Sequence, residues 1–135
     1  MNLSYYILVF DMGAEVILSK FQMGEYSAKT TKKSTMVVET RTNYLKEVKE
    51  NDEVVVSLAH FDHDKKRLHY KMEMFEKSSK KLSATLEMLS LYIDLSKRKV
   101  AEFEDEKVKL MDDFINLNKS NFKDNDLVIT GKLKK

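Results

Sequence analysis

Residues 3–20, LSYYILVFDMGAEVILSK, are apolar around most of the circumference of a helix. Leu3, Ile7, Phe10, Ala14, Ile17, Leu18 and Phe21 recur at helical spacing, and Tyr5, Leu8, Val9, Met12 and Val16 widen the apolar surface. Ser4, Asp11, Glu15 and Ser19 leave one narrow polar stripe. A helix of this kind must be wrapped by other structure, because so broad an apolar surface is unfavourable in water. The rest of the chain has to supply that cover.

It offers strands. Thr35–Leu45 alternates, with Met36, Val38, Thr40, Thr42 and Tyr44 expected on one face. Glu53–Phe61 and Leu68–Phe75 follow. Leu82–Leu95 is long and apolar, as a central strand would be. The loop Asp62–Arg67 suggests a hairpin. Pairing Asp62 with Arg67 sets Phe61 opposite Leu68, Ala59 opposite Tyr70 and Val55 opposite Met74, giving one continuous apolar face. Lys77–Lys81 closes the next hairpin. Residues 22–33 read as irregular. Residues 104–118 return to helical spacing, with Val108, Met111, Phe114, Ile115 and Asn118 on or near one face.

Composition narrows the function. Lys and Arg number 24 against 22 Asp and Glu, so there is no basic excess for nucleic acid. No run of about 18 uncharged apolar residues exists to span a membrane. Cysteine is absent, which excludes thiolate metal sites and a Cys nucleophile and makes the reduced cytoplasm the expected compartment. No Gly/Ser/Pro linker divides the 135 residues. We expect one domain over residues 1–121, including the helix at 104–118, and a C-terminal tail over 122–135.

One apolar helix followed by an antiparallel meander resembles the hotdog fold, an α+β arrangement in which a central N-terminal helix is wrapped by an antiparallel β-sheet; here a C-terminal helix is added. The residues carry the likeness further. Acyl-CoA thioesterases of the 4-hydroxybenzoyl-CoA thioesterase type have a D-x-x-G-H-x-N-N-x-x-Y-x-x-x-F-[DE] motif running into that helix. Asn2, Tyr6 and Phe10-Asp11 resemble its second half. Glu39-Thr40 with Tyr44-Leu45, Ala84-Thr85-Leu86-Glu87 and Tyr92-Ile93-Asp94 resemble later segments of that family over roughly residues 1–103. The subgroup it looks most like is the bacterial thioesterases associated with carnitine and betaine metabolism.

The resemblance implies a thioester hydrolase whose substrate is an acyl-CoA, with no separate cofactor and no metal. It implies a homodimer, or a tetramer of such dimers, without nucleic-acid or membrane partners. It also implies that the family's first strand and catalytic aspartate lie before Met1, so that the chain as it stands turns over poorly. Two rivals are a non-catalytic hotdog that binds acyl thioesters or only dimerises, and a small lipid-carrier barrel.

Thioester hydrolysis needs a stabilised oxyanion and a carboxylate to activate water. The helix start, Asn2 and Leu3, is where free N–H groups and the positive end of the dipole would meet the carbonyl. Glu15, Glu39 and Glu87 are the candidate carboxylates. Each has a plainer role open to it: a solvated stripe for Glu15, and cross-strand ion pairs for Glu39 and Glu87. Tyr5, Tyr6, Phe10 and Tyr44 are candidate acyl-pocket residues, and their aromatic faces would suit a quaternary ammonium group; ordinary core packing is the alternative. Lys29, Lys32 and Lys33 are placed to meet coenzyme A phosphates or simply water. His60, His63 and His69 cluster near a hairpin end, where polar residues are expected without a metal.

Overall fold

A computed structural model describes residues 3–49, 51–123, 127–129 and 132–134, with the backbone alone at Leu3 and Ser4. The chain runs α1 (Leu3–Lys20), α2 (Glu25–Thr31), β1 (Lys33–Tyr44), β2 (Val54–His63), β3 (Arg67–Glu76), β4 (Leu82–Asp94), β5 (Lys99–Val100) and α3 (Asp105–Asn118). The four long strands form an antiparallel sheet in the order β1-β4-β3-β2, and β5 adds to the end of β4. Among the described residues no helix is long and apolar enough to cross a membrane.

The apolar run at 82–95 becomes β4, central and buried from Ser83 to Ser90. On β3 and β4, Tyr70, Met72 and Met74 pair with Met88, Leu86 and Ala84, and all six face α1. The stripe Tyr6, Phe10, Ala14, Ile17 and Phe21 lies on them. Gly13 permits the approach, since a Cβ there would come within 3.2 Å of Val56 and 3.3 Å of the Met72 sulfur. Phe114 of α3 closes the end of the core, its ring 5.3 Å from Phe21 and 5.9 Å from Phe61. Glu104 ties the same end together. Its carboxylate accepts from Tyr92 Oη at 2.8 and 2.9 Å and pairs with Lys33 and Lys107.

Four expectations need correction. The 22–33 segment is not wholly irregular, because Glu25–Thr31 forms α2. The first hairpin closes later than Asp62–Arg67 suggested. Asp64 makes a tight turn, accepting from the N–H groups of Lys66 (2.8 Å) and Arg67 (2.7 Å). Phe61 therefore pairs with Tyr70, Asp62 with His69 and His63 with Leu68. Phe61 still faces the core, because a shift of two residues preserves the face.

Third, a bulge at Ala59 moves the inward positions of β2. Val54, Val56 and Leu58 face α1 before it, Val55 is half-exposed, and Ala59 turns to the opposite face of the sheet. Fourth, a bulge at Val38 does the same to β1. Thr40, Thr42 and Tyr44 share the α1 face through their partners Met88, Leu86 and Ala84, but Met36 pairs with Leu91 on the other side.

Candidate active site

The start of α1 is held in place by one hydroxyl. Tyr6 Oη donates to the Lys46 carbonyl at 3.3 Å and accepts from the Val48 N–H at 3.0 Å. The connection it grips is itself fixed, because the N–H groups of Leu45 and Lys46 both donate to the Ser83 carbonyl. Tyr44 crosses Tyr6 edge to face at 5.1 Å. The first turn of α1 carries no acidic side chain, so its dipole keeps its positive end. The first N–H groups of a helix have no partner within it. A helix start held in place in this way can stabilise an oxyanion.

The proposed site residues divide around this feature. Asn2 lies outside the described residues. Leu3 contributes its backbone to the first turn. Tyr5 and Tyr44 are 49% and 44% exposed. Tyr6 and Phe10 are buried in the core.

The three carboxylates do not converge on the helix start within one chain. Glu15 sits about 18 Å along the axis from Leu3 at 1.5 Å per residue. Its Oε1 accepts from the Glu25 N–H at 2.8 Å and lies 3.5 Å from Ser19 Oγ, which secures the start of α2. Glu39 is exposed on the edge strand β1, paired with Leu89. That register puts it on the face of the sheet away from α1. Glu87 is on that face too, 2% exposed. Its Oε2 lies 2.6 Å from His69 Nε2 and accepts from the Ile129 N–H, and its Oε1 accepts from the Val128 N–H, each at 2.8 Å. Burial alone pushes the Glu87 carboxyl up, but these bonds outweigh it and hold the group below its ordinary 4.5.

Lys33 is engaged by Glu104 and Lys29 by Glu25. Lys32 ends α2 in the left-handed conformation, at φ 61. His63 bridges the Asp64 carbonyl (2.8 Å) and the Asp112 carboxylate of α3 (2.7 Å). The His60 ring lies 5.3 Å from that of His69 and 5.7 Å from that of Phe122, tilted against both. Glu87 has a cross-strand partner, as its plainer sequence reading allowed, but that partner is His69, which the sequence did not single out for it. An acid inside the apolar run 82–95 was the available signal that a partner had to exist.

A family model described as the thioesterase-like superfamily matches residues 1–114. The betainyl-CoA thioesterase of Pseudomonas aeruginosa is 28% identical over 103 residues, 76% of this chain. The match spans 65% of that relative's own length. A Staphylococcus aureus protein solved in complex with CoA superposes with a TM-score of 0.79 at 19% identity, covering 100% of this chain and 82% of that one. The DHNA-CoA thioesterase of Staphylococcus aureus gives 0.76 at 17% identity over 88% and 81% of the two chains. A 1,4-dihydroxy-2-naphthoyl-CoA thioesterase from Synechocystis gives 0.72 at 16% over 84% and 83%. At such identities the superpositions show the fold, which is the α+β hotdog arrangement anticipated from the sequence.

Proposed function

We infer that this chain, which belongs to the thioesterase-like superfamily, is an acyl-CoA thioesterase. The single observation that carries the reading is the start of α1, fixed by Tyr6 and free of any acidic side chain. A thioester carbonyl oxygen set against the first-turn N–H groups would be polarised there. Water then adds to the carbonyl carbon, the oxyanion is held by those N–H groups, and the C–S bond breaks. The thiolate leaves and is protonated, and the acyl group departs as a carboxylate.

A quaternary ammonium acyl group suits the half-exposed aromatic side chains of Tyr5 and Tyr44, since a cation that forms no hydrogen bonds is attracted to π-faces. The similarity to a betainyl-CoA thioesterase supports the same choice.

The site is completed by a second copy. The α1 surface left outside the core exposes Tyr5, Leu8, Met12 and Val16, and edge strand β1 exposes Met36, Val37 and Val38. An isologous dimer through β1 and α1 would bury both. Of the three candidate carboxylates only Glu15 lies on the α1 side of the sheet. It is therefore the one that an antiparallel neighbouring α1 can bring toward the first turn. A second reading, a domain that binds acyl thioesters without turnover, draws on the separation of Glu15, Glu39 and Glu87 from α1's start within one chain.

The test is hydrolysis of betainyl-CoA alongside acetyl-CoA and butyryl-CoA, followed by free thiol release. We expect turnover with a preference for the cationic acyl group. CoA binding without thiol release would favour the second reading, and absence of both would overturn the assignment.

A further inference from the structure

We propose that the cavity on the face of the sheet opposite α1 binds a small organic carboxylate with a short apolar body. This inference stands apart from the chemistry at α1, because the sheet separates the two. The cavity has a volume of about 410 Å³, within the range of small-molecule sites.

Its floor is set by strand register. Arg41 on β1, Glu87 on β4 and Lys71 on β3 stand in one row across the sheet. Lys71 is only 8% exposed and borders the cavity. Its cross-strand neighbour Glu87 makes no hydrogen bond to it; the Glu87 oxygens accept from Val128 and Ile129 and meet His69. Neither Lys71 nor Arg41 has a side-chain hydrogen bond or ion pair among the described residues. Lys123, also on the wall, is paired with Glu73 at 2.8 Å. The lining therefore holds three cations against one carboxylate, Glu73, which Lys123 engages, while Lys71 and Arg41 are left without a hydrogen-bonded carboxylate. Two cations on one wall of a cavity are well placed to receive an anion.

Asn43 and Thr85 add a polar strip, with Asn43 Nδ2 donating to Thr85 Oγ1 at 3.4 Å, and the remaining wall is aliphatic. Leu45, Leu82 and Leu127 border the same space, and Ala59 enters it because the β2 bulge turned that residue outward. Cations at one end and aliphatic surface at the other select an amphipathic anion over an inorganic one. A cationic ligand would be repelled by Lys71 and Arg41.

The experiment is calorimetric titration of the full chain with sodium hexanoate, inorganic phosphate and hexylamine. We expect saturable hexanoate binding at millimolar or tighter affinity, weaker phosphate binding, and none for hexylamine. Lys71→Met should weaken hexanoate by about tenfold or more, while Lys71→Arg keeps it and Lys99→Met, on exposed β5, leaves it unchanged. Thermal melts of each variant report whether the fold is kept. No hexanoate binding would overturn the proposal, and so would binding that a folded Lys71→Met leaves intact, which would place the ligand elsewhere. Phosphate binding in preference to hexanoate would overturn the role of the apolar wall.

Discussion

His69 and Glu87 meet across β3 and β4 with Nε2 and Oε2 2.6 Å apart, both almost wholly out of water. The carboxylate also receives the N–H groups of Val128 and Ile129, so it fastens the C-terminal segment to the back of the sheet. Neutralising a buried carboxylate that accepts charge-assisted hydrogen bonds is expensive. Glu87→Gln should therefore lower stability by about 3 kcal/mol in urea denaturation. A loss under about 1 kcal/mol would mean the segment is held by Ile129 packing instead.

The same carboxylate gives stability a pH dependence. Its pKa in the folded chain is held below the ordinary 4.5. Glu104 behaves alike: burial pushes it up, and the bonds from Lys107, Tyr92 and Lys33 bring it below that value. A depressed carboxyl contributes stability that is fully present above the unfolded value. That contribution is lost as pH falls through the lower, folded one. The urea midpoint should thus be level from pH 7 to about 5 as far as these groups go, and should fall below about 4.5. Glu87→Gln should make the acid slope shallower. An equal slope in the variant would assign the acid loss to other groups.

Much of the fold was readable. α1 announces itself through 18 residues of apolar periodicity, and β4 through an apolar run too rich for an edge strand. α3 was legible from Met111 and its neighbours. α2 was not, because EYSAKTT buries no residue and has no apolar face; it is secured by Glu15 from another element. The bulges at Val38 and Ala59 were also hidden, since neither strand carries a glycine or other local mark there. The candidate site was half legible. Asn2, Tyr6 and Phe10 pointed to the start of α1, but Tyr6's grip on Lys46 and Val48 is a contact across 40 residues that no local pattern encodes.

That grip predicts a kinetic effect. Tyr6→Phe removes both hydrogen bonds while keeping the ring in the core. Stability should fall by about 1–2 kcal/mol. The first turn should also lose its fixed position, and misplacement of a positioning element is costly to rate. We expect thioester turnover to drop about tenfold with a smaller change in KM. A variant with wild-type kcat would show that the helix start does not need this anchor.

Phe61 and His60 test the sheet's two faces. Phe61 is 1% exposed and lies between Phe21, Tyr70 and Phe114, so Phe61→Ala should cost about 3–5 kcal/mol. His60 lies on the opposite face against His69 and Phe122, and His60→Ala should cost about 1 kcal/mol or less. The reverse ranking, by equilibrium denaturation, would contradict the register of β2 on β3.

Assembly is tested on the open side of α1. Leu8 is 54% exposed in the single chain, so Leu8→Arg should leave the fold intact. If α1 lies in a two-fold interface, the arginine becomes a buried charge there. The wild-type chain should show a dimeric mass by light scattering at micromolar concentration. Leu8→Arg should be monomeric and lose turnover together with the dimer. A monomeric wild type would remove the shared site.

The catalytic carboxylate is resolved by glutamine substitutions at Glu15, Glu39 and Glu87. Glutamine at position 15 retains an oxygen able to accept from the Glu25 N–H, so α2 stays in place and stability should change little. It cannot take a proton from water. If Glu15 activates the nucleophile across the dimer, Glu15→Gln should reduce kcat by about two to four orders of magnitude. Glu39→Gln alters an exposed group behind the sheet and should leave kcat unchanged. Glu87→Gln should change stability, with kcat preserved in the molecules that remain folded. The variants separate the roles because each carboxylate has different surroundings: α2 for Glu15, solvent for Glu39, and His69 with the C-terminal segment for Glu87. Turnover that survives Glu15→Gln would remove it from the mechanism, and turnover lost only in a fully folded Glu87→Gln would move the chemistry to the far face of the sheet.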